Sequence, residues 1–113
     1  MFPKSWRLRT KDDFERVFRT GKPLFFGFVG CKIARSSQKH IRVGFSLSKK
    51  HLEKAATRNR LRRVISGACE TQFSQEIRSQ GYDIVFFTTK KPLSRDFRPF
   101  ARVVQNVVEY IGA

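Results

Sequence analysis

The segment from Tyr82 to Thr89 constrains the fold of this chain most. It reads as a β-strand whose centre, Ile84-Val85-Phe86-Phe87, is apolar without alternation. Successive strand side chains point to opposite faces, so both faces of this strand are apolar and both need cover. The strand is therefore expected to be central in its sheet.

Two other segments can supply neighbours. Ile41 to Ser48 alternates, with Ile41, Val43, Phe45 and Leu47 on one face. Arg42, Gly44, Ser46 and Ser48 lie on the other face, which is small or basic and can stay wet or receive a ligand. Leu24 to Ala34 reads as one long strand with a break or bulge at Gly27 or Gly30. One face of it would carry Phe25, Val29, Cys31 and Ile33, the other Phe26, Phe28 and Lys32. The polar stretch 35–40 is a turn.

Three helices complete the reading. Thr10 and Asp13 predict an N-terminus for Lys11–Thr20, and Gly21 suits its end. Phe14, Val17 and Phe18 form its apolar stripe. The longest helix, Ala55 to Phe73, places Leu61, Val64, Ile65, Ala68 and Gln72 on one stripe, flanked by Cys69. Asn59, Arg63, Ser66 and Glu70 lie roughly opposite. Ser94 or Asp96 caps a last helix that tolerates Pro99 in its first turn and has Phe100, Val103, Val104, Val107, Val108 and Ile111 on one face. The order is α-β-β-α-β-α. The strand–helix–strand unit in the middle suggests a parallel pair. This predicts one α+β domain over residues 1–113, a two-layer sandwich.

Charge narrows the function. The chain has 24 Lys+Arg against 9 Asp+Glu, a net charge of +15. Such a domain repels itself, and polyanions are the usual compensators. Nucleic acid is the first expectation. A membrane is not expected, because the longest apolar stretch, Leu24 to Cys31, has 8 residues and includes two glycines. No signal-peptide core is apparent at the N-terminus. Cys31 and Cys69 read as buried free thiols, which suits a reducing cytoplasm.

The charge is densest from Lys49 to Arg63. This run contributes Lys49, Lys50, Lys54, Arg58, Arg60, Arg62 and Arg63, with Asn59 among them and a single acid, Glu53. It enters the long helix at its N-terminus, where free N–H groups and the dipole favour anions. Arginine forks can hold phosphate oxygens or stack on a base. A solvated polar face is the bland alternative, and the near-absence of balancing acids favours binding.

Phe14, Phe18, Phe26 and Phe28, close in sequence to Lys11, Arg16, Lys22 and Lys32, are a second candidate. Single-stranded bases stack on aromatics of this kind, although phenylalanine is more often core. No catalytic constellation is expected. His40 and His51 lack metal-ligand spacing to the cysteines, and no phosphate-cradling glycine loop occurs. Asp12, Asp13 and Glu15 serve a helix N-terminus.

The strand Val43-Gly44-Phe45-Ser46-Leu47-Ser48-Lys49-Lys50, followed by Arg58-Asn59-Arg60-Leu61-Arg62-Arg63, resembles the RNR motif region of the bacterial ribonuclease P protein component. Asp13 to Gly21 and Tyr82 to Phe87 are similar to two further segments of that family, in order, so the resemblance covers nearly the whole chain. It implies a ribosomal protein S5 domain 2-like fold with a mixed sheet. It also implies a left-handed βαβ crossover, opposite to the general rule.

The resemblance implies a role as the protein subunit of an RNA-catalysed endoribonuclease. The ribonuclease P RNA would hold magnesium and remove the 5′ leader of precursor tRNA. The protein would bind no cofactor of its own, contribute no catalytic residue and need no obligate protein partner. Lys49, Lys50, Lys54, Arg58, Asn59, Arg60, Arg62 and Arg63 would contact the catalytic RNA. The leader would meet Phe14 and Phe18, with Lys11, Phe28, Lys32, Arg42 and Ser46 beside them. Many members carry an aromatic near Lys32; here Phe28 is the candidate for that part. The alternatives are a structural or ribosomal RNA-binding protein and, in a different class, a self-sufficient nuclease.

Overall fold

The computed structural model describes residues 4–91 and 98–112. A 3-10 turn at Lys4–Trp6 precedes α1 (Lys11–Thr20), β1 (Lys22–Phe26), β2 (Val29–Arg35) and β3 (Arg42–Ser46). Then come α2 (Ala55–Gln72), a short α3 (Gln75–Arg78), β4 (Tyr82–Thr88) and α4 (Arg98–Gly112). The strands form one mixed sheet in the order β1-β2-β4-β3, with β3 and β4 parallel and the other pairs antiparallel. This is the expected α+β fold with β4 inside the sheet.

Both faces of β4 are covered, as its unbroken apolar run requires. Ile84 and Phe86 face the larger core with Val29, Cys31, Ile33 and Val43. Over them pack Leu61, Ile65 and Cys69 of α2 and Phe100, Val103, Val104 and Val107 of α4. Val85 faces the other way and joins Ala34, Leu8 and Val17 of α1 in a smaller core. Cys31 and Cys69 are free and buried. Burial pushes the Cys31 thiol up to about 12 and raises that of Cys69 as well, so neither is a ready thiolate.

α1 begins as its sequence predicts. The Thr10 hydroxyl accepts the Asp13 N–H at 3.2 Å and donates to Asp13 Oδ2 at 2.8 Å. The helix ends at Gly21, whose N–H donates to the Val17 carbonyl. The expected helix starts at Ser94 and Asp96 lie outside the described residues.

Three readings change. The long strand from Leu24 to Ala34 is a hairpin. Phe26 pairs with Val29 across a two-residue loop, and Gly27 takes φ 62° in its first position, the place that type II′ turns reserve for glycine. The loop inverts the expected alternation, so Phe25 shares a face with Gly30 and Lys32 rather than with Val29. Ser66, expected on the polar side of α2, is 6% exposed. Finally, residues before α1 join the sheet: the Leu8 N–H donates to the Val43 carbonyl at 2.9 Å, and Arg7 bridges Val43 in parallel. Among the described residues, no helix is long and apolar enough to cross a membrane.

Candidate nucleic-acid interface

Two surfaces gather the candidate residues. The first is the start and outer side of α2. After β3 the chain makes a tight loop, with the Leu52 N–H on the Ser48 carbonyl at 2.8 Å and the Leu52 side chain buried. His51 Nδ1 lies 3.2 Å from the Thr88 hydroxyl, so this imidazole helps to hold the loop against the end of β4. Lys54 occupies the N-cap position of α2 without a capping side-chain bond, and the first turn holds no acid. The orphan N–H groups there remain available to an anion, beside exposed Lys49, Lys50 and Lys54.

The arginines of α2 divide by role. Arg58 turns back and donates through Nη1 to the carbonyls of Leu52 at 2.7 Å and Glu53 at 3.0 Å. It staples the loop to the helix, so it is not the freely projecting cation expected from its place in the run. Asn59 Oδ1 accepts from Arg62 Nη1 at 2.8 Å, which orients Arg62 and leaves the Asn59 amide N–H groups to donate. Arg60 and Arg63 are exposed. Arg63 borders a shallow depression with Ala56, Asn59 and Arg62.

The second surface lies beside α1, where that helix leaves one end of the sheet uncovered. Its floor is made by small residues. A Cβ at Gly44 would stand 2.7 Å from the Phe14 ring, and one at Gly30 would stand 2.7 Å from Phe87. Glycine at both positions lets aromatic rings lie against the sheet. Phe14 and Phe18 are half-buried, with one side on the smaller core. Phe18 and Phe87 rings are 5.8 Å apart, and Phe25 meets Phe87 edge-on at 5.9 Å. Phe25 is 57% exposed. Lys32 Nζ donates to the Phe18 carbonyl at 2.6 Å and sits 5.7 Å above its ring, a cation at the negative end of α1. Ser46 is exposed in register with Phe87, and Lys11 projects from the first turn of α1.

Two expected leader residues are placed otherwise. Phe28 is buried in the larger core, edge-on to Phe100 at 5.4 Å. The hairpin turns it under α4, away from the groove. Arg42 forks onto Asp83, Nε to Oδ1 at 2.8 Å and Nη2 to Oδ2 at 2.7 Å. Asp83 is fully buried and also pairs with Arg16, whose Nη1 donates to the Arg35 carbonyl at 3.0 Å. Asp13 completes the cluster, 3.5 Å from Arg42 and 3.7 Å from Arg16. The Asp83 fork holds Arg42 firmly protonated, its pKa raised against the cost of burial. The Thr10 hydroxyl bond, with Arg42 and Arg16 behind it, holds the Asp13 carboxyl below its ordinary value. This cluster ties α1 to β2, β3 and β4, so Arg42 fixes the groove wall.

Phe25 and Phe87 were missed as groove residues. Phe87 had a usable signal, since it shares strand parity with Val85 but lies nearer the strand end. Phe25 could be found only by recognising Gly27 as a hairpin turn. Among the described residues, no group of three or more His, Cys, Asp or Glu is arranged to hold a metal ion.

Known proteins resemble this chain over nearly its whole length. The family model for Ribonuclease P matches residues 2–112. The chain is 38% identical over 109 residues to the ribonuclease P protein component of Lactobacillus gasseri, covering 96% of this chain and 85% of that one. It is 32% identical over 108 residues to that of Clostridioides difficile, covering 96% and 93%. Its structure is similar to the RNase P protein from Thermotoga maritima, with a TM-score of 0.72 and 26% identity over 92% of this chain and 96% of that one. The fold also matches Staphylococcus aureus RNase P protein, with a TM-score of 0.69 and 23% identity over 96% and 93% of the two chains.

Proposed function

This chain belongs to the ribonuclease P protein family, and on that premise we propose that it is the protein subunit of ribonuclease P, dividing RNA recognition between its two surfaces. The start and outer side of α2 bind the ribonuclease P RNA. The groove beside α1 holds the single-stranded 5′ leader of precursor tRNA. The RNA carries out the magnesium-dependent cleavage.

The observation that carries this reading is the pairing of an acid-free, uncapped basic helix start with a separate groove of aromatic rings on a glycine floor. Lys49, Lys50, Lys54, Arg60, Arg62 and Arg63 supply the cations that follow a phosphate backbone. Phe14, Phe18, Phe25 and Phe87 supply faces and edges on which unpaired bases stack, with Lys11, Lys32 and Ser46 at the margin. Arg58 and Arg42 act through the loop and the groove wall they hold. Magnesium belongs with the RNA phosphates in this scheme. Asp13 and Asp83 are paired with arginines, so neither is a free metal ligand.

Reconstitution tests it. The protein alone should leave precursor tRNA intact. Protein with ribonuclease P RNA and magnesium should release the 5′ leader, at lower magnesium than the RNA alone requires. Cleavage by metal-supplemented protein free of RNA would overturn the proposal, as would failure to stimulate the RNA.

A further inference from the structure

The flank of α1 turned away from the groove carries a concavity of about 400 Å³. Arg16 stands two positions from both Phe14 and Phe18, about 200° around the helix, so it leaves α1 on the opposite side. Three guanidinium groups converge there: Arg16 from α1, Arg35 from the end of β2 and Arg42 from the start of β3. Asp13, Ser36, Ser37 and Gln38 complete the lining. Every side chain in it is charged or carries a hydroxyl or an amide.

The fold sets these walls before any guest arrives. The Ser36 N–H donates to the Gly81 carbonyl at 2.9 Å, and the Ser36 hydroxyl accepts the Gln38 N–H at 2.9 Å. Gly81 admits the loop, because a Cβ there would stand 2.2 Å from the Gln38 carbonyl oxygen. Arg16 and Arg42 are oriented by the buried Asp83, and Arg16 also by the Arg35 carbonyl. The Arg35 guanidinium lies 5.3 Å from the centre of the Tyr82 ring. Cations already held in place lose little freedom when they grip an anion.

Three arginines here face two carboxylates, Asp13 in the lining and Asp83 behind it, so one positive charge is left over. A phosphodiester carries one negative charge, and its two free oxygens match a guanidinium fork. A base would find no ring or aliphatic wall to lie on. We propose that this concavity is a phosphate site, holding one phosphodiester of an RNA backbone between Arg35 and Arg42, with Ser37 and Gln38 at its mouth. The proposal rests on the RNA-binding reading above and goes beyond it. RNA then touches α1 on both flanks, bases in the groove and backbone behind.

Arg35→Gln tests this in the full chain. Arg35 is exposed, and it holds Arg16 through its backbone carbonyl, so the variant keeps the Asp83 clamp. Its melting temperature should fall by no more than a few degrees, for one lost cation–π contact. Two affinities are followed against salt: chain for ribonuclease P RNA, and assembled holoenzyme for precursor tRNA. In one of them Arg35→Gln should lower the salt slope by about 1 unit and weaken binding about threefold or more. Ser37→Glu, which sets a carboxylate at the mouth, should weaken the same affinity. Lys39→Gln removes an exposed cation of the same loop that does not line the site, and should change the slope far less.

Loss in the first affinity assigns the phosphodiester to the catalytic RNA, and loss in the second alone assigns it to the substrate. Unaltered slopes in both would overturn the proposal. So would equal losses from Arg35→Gln and Lys39→Gln, the mark of general charge attraction. Stimulated cleavage by the parent chain stands or falls separately. It can succeed while Arg35→Gln changes nothing, which removes the site and keeps the subunit reading. It can fail while Arg35→Gln still lowers the slope for ribonuclease P RNA, which does the reverse.

Discussion

The outer side of α2 and the groove beside α1 are both suited to RNA, but they are built in opposite ways. On α2, Arg60 and Arg63 stand exposed on long side chains, while Arg58 is tied to the Leu52 and Glu53 carbonyls and Arg62 to Asn59. Their attraction is long-ranged, sensitive to salt and tolerant of position. In the groove the rings are half-buried on glycines, and α1 is clamped to the sheet by a buried carboxylate between two arginines. Such a surface is ordered before anything binds and gains from that pre-organisation. One region draws RNA in through charge, whereas the other selects single strands through shape.

Breaking the clamp should have the largest effect. Asp83→Ala leaves Arg16 and Arg42 without their buried partner. Loss of one member of a buried pair costs about 3–5 kcal/mol. The side chains of Arg16 and Arg42 are 30% and 18% exposed, so the lower end applies. Thermal unfolding should move down by about 10–15 °C. A fall of only a few degrees would mean that the groove is not pre-organised by this cluster.

Next in size is the loss of charge on α2. Arg60→Ala combined with Arg62→Ala should reduce the salt slope for ribonuclease P RNA binding by up to about 2 units, one per phosphate contact. The melting temperature should barely change. An unaltered slope in a filter-binding series would show that these arginines do not meet phosphates.

Phe18→Ala should then sharpen the contrast. It should weaken binding of a leader oligonucleotide by about 1–3 kcal/mol, the range for base–aromatic stacking, with the salt slope preserved. If the melting temperature falls by many degrees and leader affinity does not, Phe18 belongs to the core alone.

The smallest effect concerns pH. The Asp13 carboxyl has its pKa lowered by Thr10, Arg42 and Arg16. A lowered carboxylate pKa contributes stability that is complete above the unfolded value and lost as pH falls through the folded one. Asp13→Asn should therefore lower the melting temperature at neutral pH. The gap from the parent chain should close as pH drops below 3.8. A gap that persists or widens in acid would reverse the sign and exclude the carboxylate as its source.

Much of this architecture was legible locally. Thr10, the α2 stripe and the unbroken apolar run of β4 each act through neighbours close in the chain. The alternation of β3 likewise placed Gly44 and Ser46 on the groove face. What was not legible depends on one turn or on distant partners. Gly27 reverses the facing of Phe25, and Phe28 is buried by α4, far along the chain. Arg42 reads as a spare cation until Asp83, 41 residues away in sequence, claims it. Ser66 looks polar on a helical wheel because the wheel omits the segment at residues 7–9. The charge run marked the correct surface but could not separate Arg58, which holds the loop, from the exposed Arg60 and Arg63.

The position of β4 has a consequence for synthesis of the chain. β2 and β3 are consecutive in sequence, yet they do not pair, because β4 lies between them. During synthesis the hairpin and the basic helix leave the ribosome before the strand that joins them. Until residues 82–88 arrive, most of the core has nothing to close on. The cationic segment is thus displayed on an unfinished protein in a compartment crowded with RNA. Its own nascent chain therefore passes through a stage in which it is adhesive before it is folded.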